Sequence, residues 1–137
     1  MPPVPNLEFS ADEMRRMADA VMSRSIEHVA SLGAQPVLGD VNGREFHRAL
    51  REPAPEAGCA LEPLLDQLFN DYIPRSFNTP APGCLAFIPG GGVFPAALAD
   101  FIANTSNRYT GLWQTAPALV QLEANALEHR ASRGKQQ

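Results

Sequence analysis

The sequence predicts a mainly α-helical chain: four or five helices joined by long proline-rich connections, with at most one short strand. Three observations carry that reading. Apolar residues recur at helical spacing over 10–32 and again over 60–72. Ten of the thirteen prolines cluster at 2–5, 53–55 and 74–95, where they interrupt regular structure. A single short apolar run, "CLAFI" over 84–88, is the one candidate strand or extended segment.

The elements follow in order. Residues 1–9 read as an extended arm. Ser10 is placed to cap a helix, with Glu13 three residues on completing a capping box and Phe9 and Met14 at the staple positions. Met14, Ala18, Val21, Met22, Ile26 and Val29 line one face, and Arg15, Arg16, Arg24 and Glu27 line the other as solvated charges. Gly33 stands where a left-handed residue would close the helix. Residues 34–60 are mostly loop, with a short helix over 43–51 that sets Phe46 and Leu50 four apart. The second firm helix covers 60–72, where Leu61, Leu64, Leu65, Leu68, Phe69 and Tyr72 form a full amphipathic stripe. Burying each Leu or Phe is worth ~1.5–3 kcal/mol, and Pro74 ends the helix.

"RSFNTPAPG" is an extended connection. A third helix runs from Pro95, suited to the first helical position, to Thr105. Its alanines, Ala96, Ala97, Ala99 and Ala103, permit close approach by a neighbour. Residues 107–117 form a connecting loop, and a fourth helix spans Pro117–His129 with Leu119, Leu122 and Leu127 as its apolar residues. The helical segment therefore covers 10–130, and 131–137 reads as a disordered tail. A lone strand needs a partner that this chain does not offer, so the sequence reads as part of something larger.

Length and composition bound the function. The 137 residues fit one modest domain, and an apolar share of 45% against 19% charged places it among globular rather than disordered chains. The net charge of −4 and the lack of a basic run argue against nucleic acid as a partner. No apolar stretch approaches the ~20 residues of a membrane span, and "MPPVPNLEFS" lacks the regions of a signal peptide. Cys59 and Cys84 are not a CxxC pair, and two free thiols fit a reducing cytoplasm. Ten arginines accompany one lysine, Lys135, in the polar tail.

The chemical motifs are sparse. In "IPGGGVFPAALADF" three glycines, Gly90, Gly91 and Gly92, precede a helix, as they do in phosphate cradles. No lysine follows to make a Walker loop, and position 95 is proline where a dinucleotide fingerprint needs glycine. A tight turn with close backbone approach is the leading reading. An anion site on the bare helix start and a loop bordering a site built with other segments stand beside it. His28, His47 and His129 have no partners at metal-ligand spacing, and His28 and His129 sit near helix C-termini, where a cationic ring suits the dipole. There is no GxSxG, and Glu62, Asp66, Asp71 and Asp100 read as solvated helix charges. Glu123 is either a surface charge or a buried pairing partner. Trp113, the only tryptophan, is either a core anchor or the wall of a pocket.

A series of residues over 82–127 carries a resemblance. Pro82 precedes the run Leu85-Ala86-Phe87-Ile88 and then Pro89; Pro95 and Leu98-Ala99-Asp100 follow; Asn107, Trp113 and "APALVQLE" from Ala116 to Glu123 complete the order. The series resembles the N-terminal part of the group II pyridoxal-phosphate-dependent decarboxylases, the family of aromatic-amino-acid, glutamate and related decarboxylases. The likeness is weaker but compatible over 10–81.

The resemblance implies the helical N-terminal segment of a PLP-transferase fold type I enzyme, which wraps onto the partner subunit of a homodimer. It implies that Phe87, Ile88 and Pro89 on one side, and Leu112 and Trp113 on the other, border the amino-acid substrate's pocket. The family's phosphate loop, cofactor-stacking histidine, pyridinium aspartate and Schiff-base lysine lie later in the chain, whereas here "EHRASRGKQQ" follows "EANAL". The expectation is therefore an N-terminal fragment without the large α/β cofactor domain. It holds no catalytic, cofactor-binding or metal-binding residue and is inactive alone, since Lys135 has nothing around it to desolvate or orient its amine. The alternative is a non-catalytic helical module that pairs with a separate subunit. An anion-binding protein using Gly90–Gly92 is a weaker third.

Overall fold

A computed structural model describes residues 8–39, 48, 50–51, 55–86 and 92–134, with 133 and 134 described by backbone alone. The described residues contain four α-helices and no strand. The chain divides into two compact units, Met1–Gly91 and Gly92–Gln137.

In the first unit, helix α1 spans Ala11–Ser31. Its start is the expected capping box: the Ser10 hydroxyl accepts from the Glu13 N–H at 3.3 Å, and the Glu13 carboxylate accepts from the Ser10 N–H at 2.8 Å. Its end differs from expectation. Gly33 is not left-handed, because α1 tightens directly into a 3-10 turn, Leu32–Ala34, which takes up its last carbonyls with ordinary right-handed backbone.

Helix α2 spans Leu61–Gln67 and widens into a π turn over Leu68–Tyr72, then narrows to a 3-10 turn over Ile73–Arg75. The expected single α-helix to residue 72 is thus only half α. Pro74 supplies the reason: it has no N–H for the carbonyl of Asn70, and its ring crowds that carbonyl, so regular α geometry cannot run through these residues.

The faces are also redistributed. Leu65 is the buried centre of α2 at 8% exposure, with Leu61, Phe69 and Tyr72 half-buried, while Leu64 and Leu68 are exposed. On α1, Ala18 and Met22 are half-buried, but Met14, Val21, Ile26 and Val29 are exposed. Arg24, expected among the solvated charges, is half-buried and pairs with Asp66 of α2. One helical turn on, the His28 ring meets the Phe69 ring edge-on, centroids 5.9 Å apart. The polar Arg24/His28 face of α1 therefore meets the α2 region, and much of the apolar stripe stays open.

No strand forms at Cys84–Ala86, and Phe87 and Ile88 lie outside the described residues, as does most of the short helix expected over 43–51. Extended pairing occurs elsewhere, as an isolated antiparallel bridge between Leu38 and Phe77, with the Asn78 N–H donating to the Val37 carbonyl at 2.8 Å. Gly39 follows the bridge at a point where a Cβ would stand 1.9 Å from the Pro74 carbonyl oxygen, so only glycine lets the two backbones approach. The chain then turns twice, Ala81 N–H to Asn78 and Cys84 N–H to Ala81, around a buried Ala81.

In the second unit, α3 spans Phe94–Ser106 and α4 spans Pro117–Gly134. Helix α3 begins one residue earlier than expected, which puts Pro95 at its second position. Asn107 closes it in the left-handed region, φ 42°, with its N–H on the Ala103 carbonyl. Helix α4 runs past the expected His129 to Gly134. Every residue from Gly92 to Thr115 is exposed, the α3 alanines included. Ala116, just before α4, is buried.

Candidate functional site

Leu112 and Trp113 sit together on the loop between α3 and α4, 54% and 53% exposed. That exposure removes the core-anchor reading of Trp113 and leaves a surface side chain. The loop is ordered by its own bonds: the Thr115 hydroxyl lies 2.8 Å from the Tyr109 carbonyl oxygen and 2.7 Å from that of Leu112, and the Thr115 N–H donates to the Leu112 carbonyl at 3.2 Å. Phe87, Ile88 and Pro89, the other half of the expected pocket edge, lie outside the described residues, as do Gly90 and Gly91.

The start of α3 is a poor anion cradle. Of its first three residues, Pro95 has no N–H and the Ala96 N–H is already committed to the Val93 carbonyl at 2.9 Å, which leaves Phe94. No side chain caps this end.

The first unit holds a cleft of about 390 Å³ that sequence reasoning missed. Arg24 and His28 of α1 form one wall, Phe69 and Asn70 of the π turn another, and Gln35 and Asn78 lie between. Gln35 ties the parts together: its amide nitrogen donates to the Ser31 hydroxyl at 2.7 Å and lies 3.4 Å from His28 Nδ1, and its oxygen accepts from the Asn78 amide at 2.9 Å. Arg75 binds back to Asp71, at 2.7 Å to the carbonyl and 3.1 Å to the carboxylate. The spacing of Arg24 and His28, four apart on α1, was the available signal. Sequence alone gives Arg24 an outward role and His28 a terminal one, because neither belongs to the apolar stripe.

Chemistry-bearing clusters are few. Among the described residues, no three His, Cys, Asp or Glu side chains stand close enough to hold a metal ion, and no helix is long and apolar enough to cross a membrane. Cys59 and Cys84 are free thiols. His129 lies within α4, where its carbonyl accepts from the Ser132 hydroxyl, and His47 lies outside the described residues.

Comparison with known proteins supplies the remaining observation. No family model matches the chain, and no solved structure does. Curated relatives do match. The chain is 28% identical over 122 residues to the aromatic-L-amino-acid decarboxylase of Bacillus atrophaeus, which covers 89% of this chain and 25% of that protein. It is 25% identical over 113 residues to the tyrosine decarboxylase of Papaver somniferum (82% of this chain, 22% of the relative). It is 24% identical over 120 residues to tryptophan decarboxylase 1 of Oryza sativa subsp. japonica (88% and 23%). In each case the matched part is the relative's N-terminal region, so the chain spans about a quarter of the length of the relatives it matches. The relatives are group II decarboxylases, the family that residues 82–127 resemble, and the helical character of the described residues agrees with that placement.

Proposed function

We propose that this chain acts as the N-terminal segment of a pyridoxal-phosphate-dependent decarboxylase of aromatic amino acids. In this reading it supplies homodimer contacts and one edge of the substrate pocket. The observation that carries the proposal is the similarity along 89% of the chain to the N-terminal quarter of an aromatic-L-amino-acid decarboxylase. The half-exposed Leu112 and Trp113 support it, since they offer apolar surface against which an aromatic side chain can pack. The open apolar residues of α1 support the contact role, because a stripe at helical spacing that is left exposed costs free energy until a partner covers it.

The described residues do not fit the cofactor. They contain no lysine, Lys135 lying outside them, and the α3 start offers too few free amides to hold a phosphate. Loss of the α-carboxylate is therefore assigned to the part of such an enzyme that this chain does not align with, and this chain's part is to bind and to border. A location in a reducing cytoplasm fits the two free thiols.

Complementation tests the proposal. The chain is co-expressed with the Bacillus relative lacking its own N-terminal quarter. The expected result is a stable complex that decarboxylates aromatic amino acids. Absence of both complex and activity overturns the proposal. A complex without activity points to the second reading, a helical interaction module, which the exposed faces of α1 and α3 also favour.

A further inference from the structure

The loop that carries Leu112 and Trp113 has a fixed shape, and one side chain fixes it. Thr115 reaches back across the loop. Its hydroxyl lies within hydrogen-bond distance of two carbonyls, 2.8 Å from Tyr109 and 2.7 Å from Leu112, and its single proton is shared between them. Its own N–H adds a third tie, to Leu112. The Tyr109 ring also lies against the Gly111 backbone, so near that a Cβ there would stand 2.6 Å from the phenol oxygen. The backbone entering and leaving Leu112–Trp113 is thus held at both ends, although both side chains remain half exposed.

An exposed tryptophan on an unrestrained loop would sample many directions, and each would have to be given up when a ligand packed on it. We infer that Thr115 is a positioning residue: its hydroxyl latches the Tyr109–Thr115 loop so that Leu112 and Trp113 are preset to border a ligand. The inference deepens the pocket-edge reading and rests on it for the identity of that ligand, an aromatic amino acid. The latch itself stands on the geometry alone.

Trp113 is the chain's only tryptophan, so its fluorescence reports this loop without a label. The test compares time-resolved anisotropy in the full 137-residue chain, with no cofactor or substrate, for wild type, Thr115→Val and Thr115→Ser. Valine keeps the shape and removes the hydroxyl, whereas serine keeps the hydroxyl. The expected result is a loss of slow-decaying anisotropy in Thr115→Val, with far-UV circular dichroism unchanged, and recovery in Thr115→Ser. Equal decays in wild type and Thr115→Val overturn the inference, as does a serine variant as mobile as the valine one.

If Thr115→Val loses helix content, wild type decides by amide relaxation. Leu112 and Trp113 amides as restricted as those of α4 support the latch, and amides as mobile as a free chain overturn it. Because no substrate is present, the latch and the pocket-edge reading fail independently.

Discussion

At the scale of single residues, the best-read feature was the most local one. Ser10 and Glu13 are three apart, and their capping geometry needs nothing beyond one helical turn. The Ser10 hydroxyl and then the Ser10 backbone N–H hold the Glu13 carboxyl below its ordinary value of 4.5, against desolvation, with the Arg16 charge a lesser aid. A carboxyl depressed by folding stabilises the folded form above its unfolded value and loses that effect as pH falls through the folded value. The helix content of α1, followed by circular dichroism, should therefore decline as pH drops below 4.5. Ser10→Ala should weaken that dependence and cost ~0.5–2 kcal/mol in a denaturant titration.

Two glycines show where local reading stops. Gly33 reads in the sequence as a left-handed cap, yet it has ordinary backbone and open space around a Cβ. Gly33→Ala should raise thermal stability by about 0.4–1 kcal/mol, mainly by restricting the unfolded chain. Gly39→Ala should lower it by ~1–3 kcal/mol, because the new methyl would collide with backbone at Pro74. Nothing near position 39 announces that collision, since its partner lies far along the chain.

At the scale of elements, periodicity located the helices to within a residue at α1 and α3 but misjudged their faces. A hydrophobic stripe states which residues share a side, not which neighbour takes that side. On α1 the stripe ran through Val21 and Ile26, whereas the contact with α2 runs through Arg24 and His28. The π turn was hidden for a related reason. Leu61, Leu65, Phe69 and Tyr72 keep helical spacing in the sequence whether or not the backbone widens before Pro74.

Among the described residues Leu65 is the one large apolar side chain that is buried, so Leu65→Ala should destabilise the first unit. The expected loss is ~2 kcal/mol, the low end for such a truncation, because the surroundings are already partly open to water. A chemical denaturation midpoint would measure it. The Arg24–Asp66 pair is half exposed, and Asp66→Asn should cost only ~0.2–1 kcal/mol, an effect that strong salt erases.

At the scale of the whole molecule, the buried apolar residues are Leu65, Ala81 and Ala116 among those described, while many large apolar side chains are exposed. The described residues thus form little core of their own. The chain should bind an apolar-surface dye in isolation and release it when a cofactor domain covers those faces; unchanged dye fluorescence in the complex would count against the contact role. Added pyridoxal phosphate should keep the absorbance of the free aldehyde. A borohydride-stable adduct on Lys135 would contradict the proposal that this chain takes no part in catalysis.

The likeness to group II decarboxylases was legible in the ordered residues over 82–127, and the curated relatives match along most of the chain. Of the expected pocket edge, the described residues include only Leu112 and Trp113. Leu112 and Trp113 could be picked out as a pair, but the Thr115 bonds that shape their loop leave no trace in spacing or hydropathy.

The tie between Gln35 and Asn78 has an evolutionary corollary. These partners are 43 positions apart, and the Arg24–Asp66 pair 42, so both close a long loop. The entropic cost of such closure grows only with the logarithm of loop length, and ten additional residues would add ~0.2 kcal/mol. Insertions between Gly39 and the start of α2 at Leu61 should therefore cost little, whereas insertions that displace Leu38, Gly39 or Leu65 should not be tolerated.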